Sequence, residues 1–287
     1  MNKMKILITG YKGMLGSDLV NILENENQHE LILTDIEELD ITNLEEVKGM
    51  FKGKKPDAVI NVAAYTDVDG CETNRELAYN VNAIGPKNLA IASNEIGAKL
   101  LHISTDYVFP GNNTKPYKEE DETGPQSYYG VTKLEAEKFI KEKMKNYFIV
   151  RTAWLYGING KNFVKTMLNL AKTNPEITVV NDQRGSPTFT VDLANGIVEL
   201  LKTDKYGIYH VTNSDECSWY EFAKNIFDLA NVDVEVKPVT TEEYPTPAKR
   251  PEYSVLSHEK WNNSGFKPLR NYKDALKEYL ELELASE

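Results

Sequence analysis

Cysteine, long apolar runs and positive charge are all scarce in this sequence of 287 residues. The two cysteines, Cys71 and Cys217, are too few and too far apart for a disulfide framework or a zinc site. No apolar run approaches the ~20 residues of a membrane-spanning helix, and no signal peptide precedes Met4. We therefore expect a cytoplasmic protein that does not cross a membrane.

The shortage of positive charge restricts the partners that the protein can bind. The chain has 33 lysines and arginines against 44 acidic residues, which gives a net charge of −11. This balance argues against nucleic acid or an anionic membrane surface as the main partner. The length and an ordinary hydrophobic fraction of 41% instead indicate a soluble globular protein with one or two domains.

A strand, a glycine turn and a helix follow one another near the start of the chain. Residues 5–9 form a short apolar run, Gly10, Gly13 and Gly16 follow, and a helical pattern continues over 17–23. Glycines permit a tight turn, and a helix N-terminus offers free N–H groups to a pyrophosphate. Glycines after a strand often form only a turn, so the predicted dinucleotide site depends on the whole strand–turn–helix context.

A second strand supports the dinucleotide interpretation. It covers residues 30–34 and ends at Asp35, about twenty residues past the glycines, where an acidic side chain accepts hydrogen bonds from the adenosine ribose. A carboxylate there repels a 2′-phosphate and favours NADH, whereas Lys12 in the glycine turn offsets that repulsion. The sequence therefore predicts NADPH or NADH as the cofactor.

Tyr129 and Lys133 stand four residues apart in a segment with a helical pattern. Four residues are about one helical turn, so the phenol and the ammonium share a face. A nearby ammonium moves the phenol pKa from about 10 toward neutrality, which suits proton exchange with a carbinol oxygen. Thr105, after an apolar run, has a hydroxyl that can hold the same oxygen. Such a pair also arises by chance, so its catalytic meaning depends on a hydride carrier nearby.

The first half of the chain alternates short apolar runs with amphipathic stretches. This alternation predicts an α/β fold with a doubly wound, parallel, Rossmann-like sheet. Gly10, Asp35, Ala63 and Thr105 fall at strand ends, which right-handed crossovers bring to one edge of the sheet. The predicted strands are 5–9, 30–34, 58–62, 98–103 and 147–152, and the predicted helices are 14–26, 43–52, 74–96 and 127–145.

The second half predicts a smaller α/β lobe that covers the crevice. We predict a dinucleotide-binding Rossmann domain over 1–153 and a mainly substrate-binding lobe over 154–287, with part of 190–212 returning to the main sheet. The predicted helices here are 161–173, 190–202, 218–230 and 271–284, and the predicted strands are 177–181, 207–211 and 234–239.

The order of these motifs resembles the extended short-chain dehydrogenase/reductase superfamily. The G-x-x-G-x-x-G turn, the Asn-Val-Ala-Ala segment at 61–64 and the set of Ser104 or Thr105 with Tyr129 and Lys133 are similar to its motifs. More specific segments resemble the dTDP-4-dehydrorhamnose reductase family over residues 4 to about 280. These segments are 104–111, 151–157, 162–167, 181–188, 248–251 and 254–257.

The resemblance implies a reaction and roles in it. The family reduces the C4 ketone of dTDP-4-dehydrorhamnose to dTDP-L-rhamnose with reduced nicotinamide, which serves cell-surface polysaccharide synthesis. Tyr129 would protonate the oxygen, Lys133 would tune Tyr129 and hold the nicotinamide ribose, and Thr105 would orient the carbonyl. The implied cofactor contacts are Gly10, Gly13, Met14, Leu15, Gly16, Asp35, Asp40, Ile41, Ala63, Ala64, Tyr65, Ile103, Tyr129 and Lys133.

The resemblance also implies contacts with a nucleotide-sugar substrate. Those contacts are Thr105, Asp106, Trp154 and Arg184. Asp106 has an ordinary alternative as a turn residue, Trp154 as a core residue and Arg184 as a member of a surface ion pair. Lys165 is a further candidate for the diphosphate, with the same alternative as Arg184.

Some members of the family form magnesium-bridged dimers through acidic residues. Asp18 matches one ligand position, but Val191 stands where a second carboxylate is expected. The sequence therefore predicts no metal, and the oligomeric state stays open between monomer and homodimer.

Two other functions stay open at this point. One is a nucleotide-sugar dehydratase or epimerase, which keeps its cofactor tightly bound through turnover. The other is a regulatory subunit like that of methionine adenosyltransferase, which resembles these reductases but binds a partner enzyme. The segment 184–187 favours the reductase.

Overall fold

A computed structural model describes residues 3–285 of the chain. The strands are β1 (Lys5–Thr9), β2 (Glu30–Thr34), β3 (Ala58–Asn61), β4 (Lys99–Thr105), β5 (Tyr147–Thr152), β6 (Leu155–Tyr156), β7 (Glu176–Val180), β8 (Arg184–Gly185), β9 (Thr188–Phe189), β10 (Gly207–His210), β11 (Cys217–Ser218) and β12 (Glu235–Val239). The helices are α1 (Met14–Glu26), α2 (Leu44–Lys54), α3 (Gly70–Thr73), α4 (Arg75–Tyr79), α5 (Gly85–Ile96), α6 (Tyr128–Lys143), α7 (Phe163–Ala171), α8 (Thr190–Leu201), α9 (Trp219–Ala230), α10 (Glu259–Asn263) and α11 (Tyr272–Ala285).

Six strands form one parallel sheet in the order β10-β5-β4-β3-β1-β2. The strands β1, β3 and β5 are almost wholly buried, as expected for a parallel sheet with helices on both faces. The predicted doubly wound sheet is therefore confirmed, although β4 continues to Thr105 instead of ending at 103. The chain places β2 and β3 on opposite sides of β1, and ligands bind at such a switch point.

Helices pack on each face of this sheet through their apolar sides. On one face, Leu19 of α1 and Ile197 of α8 belong to the same core cluster. On the other face, Phe51 of α2, Leu89 of α5 and Ile140 of α6 belong to a second cluster. These five side chains are almost completely buried, which is the main source of stability for such a layered fold.

The prediction of one helix over 74–96 is wrong. The segment consists of α4, a π-helical turn over Asn80–Ile84 and α5, and α3 precedes it. The side chain of Asn82, buried in the π turn, accepts a hydrogen bond from Tyr65 N (2.8 Å) and donates one to Tyr65 O (3.0 Å). Because this contact is with a distant loop, the apolar spacing of the helix does not reveal the break.

The second half of the chain contains a smaller lobe with its own apolar core, and its part in substrate binding stays a prediction. That core joins α7, α9 and α11 with the parallel pair β7–β12, and includes Tyr156, Phe222 and Tyr279. In contrast, β10 pairs with β5 in the main sheet, and α8 packs with α1. Within residues 3–285, no helix combines the length and the apolar character that a membrane crossing requires.

Candidate active site

The carboxyl ends of four parallel strands bring the predicted site residues together. Thr9 pairs with Thr34 on one side and with Asn61 on the other, and Asn61 pairs with His102. Gly10, Asp35, Ala63 and Thr105 follow or end these strands and therefore lie along one edge of the sheet. This edge is where open α/β sheets bind ligands.

The glycine turn packs so closely that side chains are excluded from it. Gly10 has a φ of +73°, and a Cβ there would lie 2.8 Å from Cα of Ala63. A Cβ at Gly16 would lie 2.3 Å from the carbonyl oxygen of Gly10. Among the described residues, no side chain caps α1 at Gly13, so the N–H groups of its first turn are available to an anion.

Asp35 follows β2 beside the glycine turn, as predicted. Its Oδ1 accepts from Ile36 N (2.8 Å), and its Oδ2 accepts from Lys12 N at 3.4 Å. The ammonium of Lys12 pairs with Glu37 and lies 3.7 Å from Glu38. The cation expected to offset Asp35 is thus engaged by other carboxylates, although exposed pairs of this kind are weak.

An Asp35→Ala variant tests the contact with the adenosine ribose. The change removes a charged acceptor and a source of repulsion toward a 2′-phosphate, so NADH affinity should fall about tenfold or more relative to NADPH affinity. The measurement is the Kd of each dinucleotide for the wild type and the variant. Equal losses for both dinucleotides would mean that Asp35 does not touch that ribose.

The other predicted cofactor residues divide into two groups. Leu15, Ile41 and the backbone of Tyr65 are held by packing or by backbone hydrogen bonds, and Asp40 accepts from Thr42 N (2.9 Å) in the turn before α2. Leu15 and Ile41 therefore offer apolar contact and Tyr65 offers backbone contact to a dinucleotide, whereas Asp40 keeps its second carboxylate oxygen for a polar contact. The remainder lie on the glycine turn and strand ends, and they are Gly10, Gly13, Met14, Gly16, Ala63, Ala64 and Ile103.

Helix α6 carries the tyrosine and the lysine of the predicted catalytic set. Its N-terminus is fixed by Ser127, whose hydroxyl oxygen accepts from Gly130 N (3.2 Å). Tyr129 packs edge-to-face on Tyr107, with 5.7 Å between the ring centroids. Lys133 lies one turn later, is 2% exposed, and donates from Nζ to Ile103 O at 2.6 Å.

The pKa of Tyr129 differs from the expectation. Burial raises it above its ordinary value, the nearby Asp106 and Tyr107 raise it further, and only the Thr105 hydroxyl lowers it. Burial also lowers the pKa of Lys133 to about 8. The prediction that Lys133 moves the phenol toward neutrality is therefore wrong for this structure. Tyr129 stays protonated at neutral pH, which suits a donor of protons to an alkoxide.

The structure separates the two hydroxyls at the end of β4. Ser104 donates to Oε1 of Glu137 (2.6 Å), which also pairs with Arg151 in the buried interior. Thr105 instead donates to Oδ1 of Asp106 (2.9 Å) and is close enough to Tyr129 to influence its pKa. Of the two, Thr105 therefore lies at Tyr129, the predicted catalytic residue.

Asp106 is a buried carboxylate directly beside this set. It is 2% exposed, and burial raises its pKa from 3.8 to about 6, a shift that the hydrogen bond from Thr105 partly opposes. In the unfolded chain this carboxyl loses its proton near its ordinary pKa of 3.8, whereas in the native state it keeps the proton up to about pH 6. At neutral pH the buried carboxylate is charged, and this charge lowers the free energy of unfolding.

An Asp106→Asn variant should be more stable and less active. Removing the buried charge should raise the free energy of unfolding at pH 7 by about 1–3 kcal/mol, and the gain should vanish below about pH 4. If Asp106 binds the sugar, KM for the nucleotide sugar should also rise. Unfolding curves at pH 4 and pH 7, together with steady-state kinetics, check both parts. An unchanged KM would mean that Asp106 does not bind the sugar and serves only as a turn residue.

Trp154 and Arg184 are placed differently from each other. Trp154 has a φ of +49° and stacks on Trp219 with 3.5 Å between ring centroids, where the strand end meets the smaller lobe. Arg184 pairs with Glu216 and Glu221, both at 3.1 Å. The guanidinium is thus held in ion pairs within the smaller lobe, which matches the ordinary alternative. Lys165 pairs in the same manner with Glu283 at 3.2 Å.

Sequence reasoning did not single out three polar residues near the site. His102 is fully buried and lies 3.4 Å from Lys133, and Asn82 bonds to Thr132 of α6 at 3.2 Å. Arg250 pairs with Asp69 at 2.7 Å and contacts Tyr107. The available signal for His102 and Asn82 was a polar residue inside an otherwise apolar segment, because such residues need partners when buried. Arg250 carried no such signal.

Asp18, the position that matches a magnesium ligand, is hydrogen-bonded to another helix in this structure. Asp18 is 6% exposed and accepts a hydrogen bond from the hydroxyl of Thr190 on α8 at 2.5 Å. Burial raises the pKa of Asp18 above its ordinary range. The carboxylate therefore joins α1 to α8, and the absence of a metal stays a prediction.

Comparisons with known proteins agree with this geometry. A family model described as the RmlD substrate binding domain matches residues 4–284. The dTDP-4-dehydrorhamnose reductase of Streptomyces griseus is 42% identical over 279 residues, covering 95% of this chain and 91% of the relative. The chain also resembles two solved structures of dTDP-4-dehydrorhamnose reductases.

The first of these structures is from Clostridium acetobutylicum and is 53% identical, with a TM-score of 0.95 and coverage of 97% of this chain and 99% of the other. The second, from Bacillus anthracis, was solved in complex with NADP. It is 46% identical, with a TM-score of 0.94 and coverage of 96% and 98%.

Proposed function

Because the chain belongs to the RmlD substrate binding domain family, we propose that it is an NAD(P)H-dependent oxidoreductase that reduces dTDP-4-dehydrorhamnose to dTDP-L-rhamnose. One observation carries this proposal. Thr105, Tyr129 and Lys133 lie at the same sheet edge as the glycine turn and Asp35. The edge thus combines a dinucleotide cradle with a proton donor, which are the two requirements for reduction of a ketone.

The residues at this edge fit a nicotinamide dinucleotide. The space beside Gly10 and Gly16 admits backbone but no side chain, and the first turn of α1 offers N–H groups to a pyrophosphate. Asp35 would hold the adenosine ribose, and Lys133 would hold the nicotinamide ribose. When bound, the reduced carrier supplies the hydride that the protein itself lacks.

The protein's own contribution is to bind the ketone and deliver a proton. The hydroxyl of Thr105 has one donor hydrogen, which would turn from Asp106 to the carbonyl oxygen and fix its position. Tyr129 then transfers its phenolic proton to that oxygen as negative charge develops on it. The raised pKa of Tyr129 keeps the proton in place until the oxygen becomes sufficiently basic.

The two lobes would bind different ligands in this proposal. Residues 1–153, with β10 and α8, would hold the dinucleotide, and the rest of 154–287 would close over the sugar nucleotide. Asp106 and Trp154 lie where the two parts meet and are the proposed substrate contacts. Arg250 contacts Tyr107, which packs on Tyr129, and pairs with one carboxylate, Asp69. Arg184 is held by two carboxylates within the smaller lobe, so Arg250 is the preferred partner for a diphosphate.

The proposal also includes the setting in which the enzyme acts. Cys71 and Cys217 are both free and buried, which is compatible with a reducing cytoplasm. A monomer or a homodimer suffices, because every proposed catalytic residue comes from one chain.

Consumption of NADPH or NADH on addition of dTDP-4-dehydrorhamnose is the direct test. The proposed enzyme oxidises one carrier per sugar reduced and yields dTDP-L-rhamnose. A dehydratase or epimerase would convert the sugar without net oxidation of added carrier. A regulatory subunit would show no turnover at all, and either result would reject the proposal.

A further inference from the structure

A row of buried polar side chains crosses the sheet near the carboxyl ends of β1 and β3 and leads to Lys133. The register pairs Thr9 of β1 with Asn61 of β3, and Asn61 with His102 of β4. All three residues are at most 1% exposed, and apolar residues surround them along each strand. Burial of polar groups in such a place is unfavourable unless each group is hydrogen-bonded.

Hydrogen bonds join this row into a single chain. The hydroxyl of Thr9 donates to Oδ1 of Asn61 at 2.7 Å. The side-chain amide of Asn61 meets Nδ1 of His102 at 2.9 Å, with the donor set by the tautomer of the histidine. Nε2 of His102 then lies 3.4 Å from Nζ of Lys133. The chain therefore ends at the lysine of the proposed active site.

Lys133 has few other partners. Its Nζ donates to Ile103 O at 2.6 Å, and Glu137, one turn further along α6, is already paired with Arg151. Tyr129 lies one turn before it on the same helix. A lysine ammonium has three N–H donors, so Ile103 and, in the tautomer whose Nε2 accepts, His102 leave one for a ribose hydroxyl.

A histidine suits this position because it can serve both forms of the lysine. With the Asn61 amide donating to Nδ1, neutral His102 carries its proton on Nε2 and donates to a neutral amine. If the Asn61 amide is reversed, His102 is protonated on Nδ1 and its Nε2 accepts from an ammonium. The series of hydrogen bonds from Thr9 to Lys133 can thus form with either protonation state of Lys133.

We propose that His102, held by Asn61 and Thr9, is a positioning residue that fixes the amino group of Lys133 for the dinucleotide ribose. The inference rests on the proposed function, because it assigns a role toward that cofactor. The alternative is that His102 only completes the polar row and stabilises the sheet.

Two amide substitutions separate these roles. Glutamine at 102 places a polar atom near the position of Nε2 and keeps the contact with Lys133. Asparagine at 102 places one near Nδ1 and keeps only the contact with Asn61. Both variants insert a polar amide into the same buried site, so similar losses of Tm are expected from the two.

The experiment compares H102Q and H102N in steady-state turnover and in direct titration with NADPH and NADH. H102Q should keep kcat and the Kd of the preferred carrier within about threefold of wild type, whereas H102N should worsen both by about tenfold or more, since small displacements of a positioned group have large effects. The matched control is H210Q and H210N. His210 is also fully buried, but it lies 3.4 Å from Arg151 instead of Lys133.

The control pair should change Tm without separating glutamine from asparagine in kcat or Kd. The proposal is overturned if H102Q and H102N have equal kcat and equal Kd, or if H102N performs better. Absence of turnover in the wild type would reject the proposed function alone. In that case the carrier Kd of H102Q compared with that of H102N still decides the role of His102.

Discussion

A Tyr129→Phe variant is expected to turn over at least about a hundredfold more slowly than the wild type, with carrier affinity changed by no more than a few fold. The substitution removes one hydroxyl and keeps the ring that packs edge-to-face on Tyr107. The lost step is therefore proton transfer to the substrate oxygen. Steady-state kcat, together with a titration by NADPH or NADH, measures the two effects separately.

Tyr128 offers a matched control one residue away. Its ring lies under the guanidinium of Arg75, 4.7 Å from the ring centroid, and its phenol has no assigned part in the chemistry. Tyr128→Phe should keep wild-type kcat, since it deletes the same hydroxyl at the same end of α6. Retention of more than a third of wild-type turnover by Tyr129→Phe would remove Tyr129 from its role.

Lys133→Met should produce the second large effect, and a different one. Methionine keeps the length of the side chain but deletes the amino group that donates to Ile103 O. We expect a rise in KM for the carrier of about tenfold or more together with a lower kcat, because Lys133 is assigned to the nicotinamide ribose and its loss would weaken binding and misplace the hydride donor. The split between KM and kcat distinguishes this variant from Tyr129→Phe.

The pH dependence of carrier binding adds a second signature. Burial lowers the pKa of Lys133 to about 8, so the wild-type residue is charged below that pH and loses its charge as the pH rises through it. Carrier affinity should then weaken above about pH 8 in the wild type and stay flat in Lys133→Met. Titrations of the wild type and the variant with the carrier, at values from about pH 6 to about pH 9, test this expectation.

Lys138→Met is the matched control for Lys133→Met. Lys138 lies on the same helix but is largely exposed and pairs with Glu135 at 2.7 Å. The Lys138→Met substitution should leave KM and kcat unchanged, because an exposed ion pair contributes little to stability. Unchanged kinetics in Lys133→Met itself would contradict the catalytic assignment. A regulatory subunit would have no turnover to lose, and its partner's activity would be indifferent to either change.

The sequence alone determined the parallel sheet, the positions of its strands along the chain, and the edge at which the site forms. These features follow from local patterns: apolar runs give buried parallel strands, glycines give the turn, and strand ends in such a sheet share one edge. The four-residue spacing of Tyr129 and Lys133 is likewise a property of one helix. Each of these inferences needs only residues that are close together in the chain.

Only the tertiary structure decided which polar groups meet. The partners of Lys133 and Arg184 come from other elements, and the π turn at Asn82 exists because of a contact with the loop after β3. The pKa of Tyr129 likewise depends on burial and on the nearby Asp106 and Tyr107, which all raise it. Burial and hydrogen bonding between distant segments are set by how the elements pack, and local spacing carries no record of that packing.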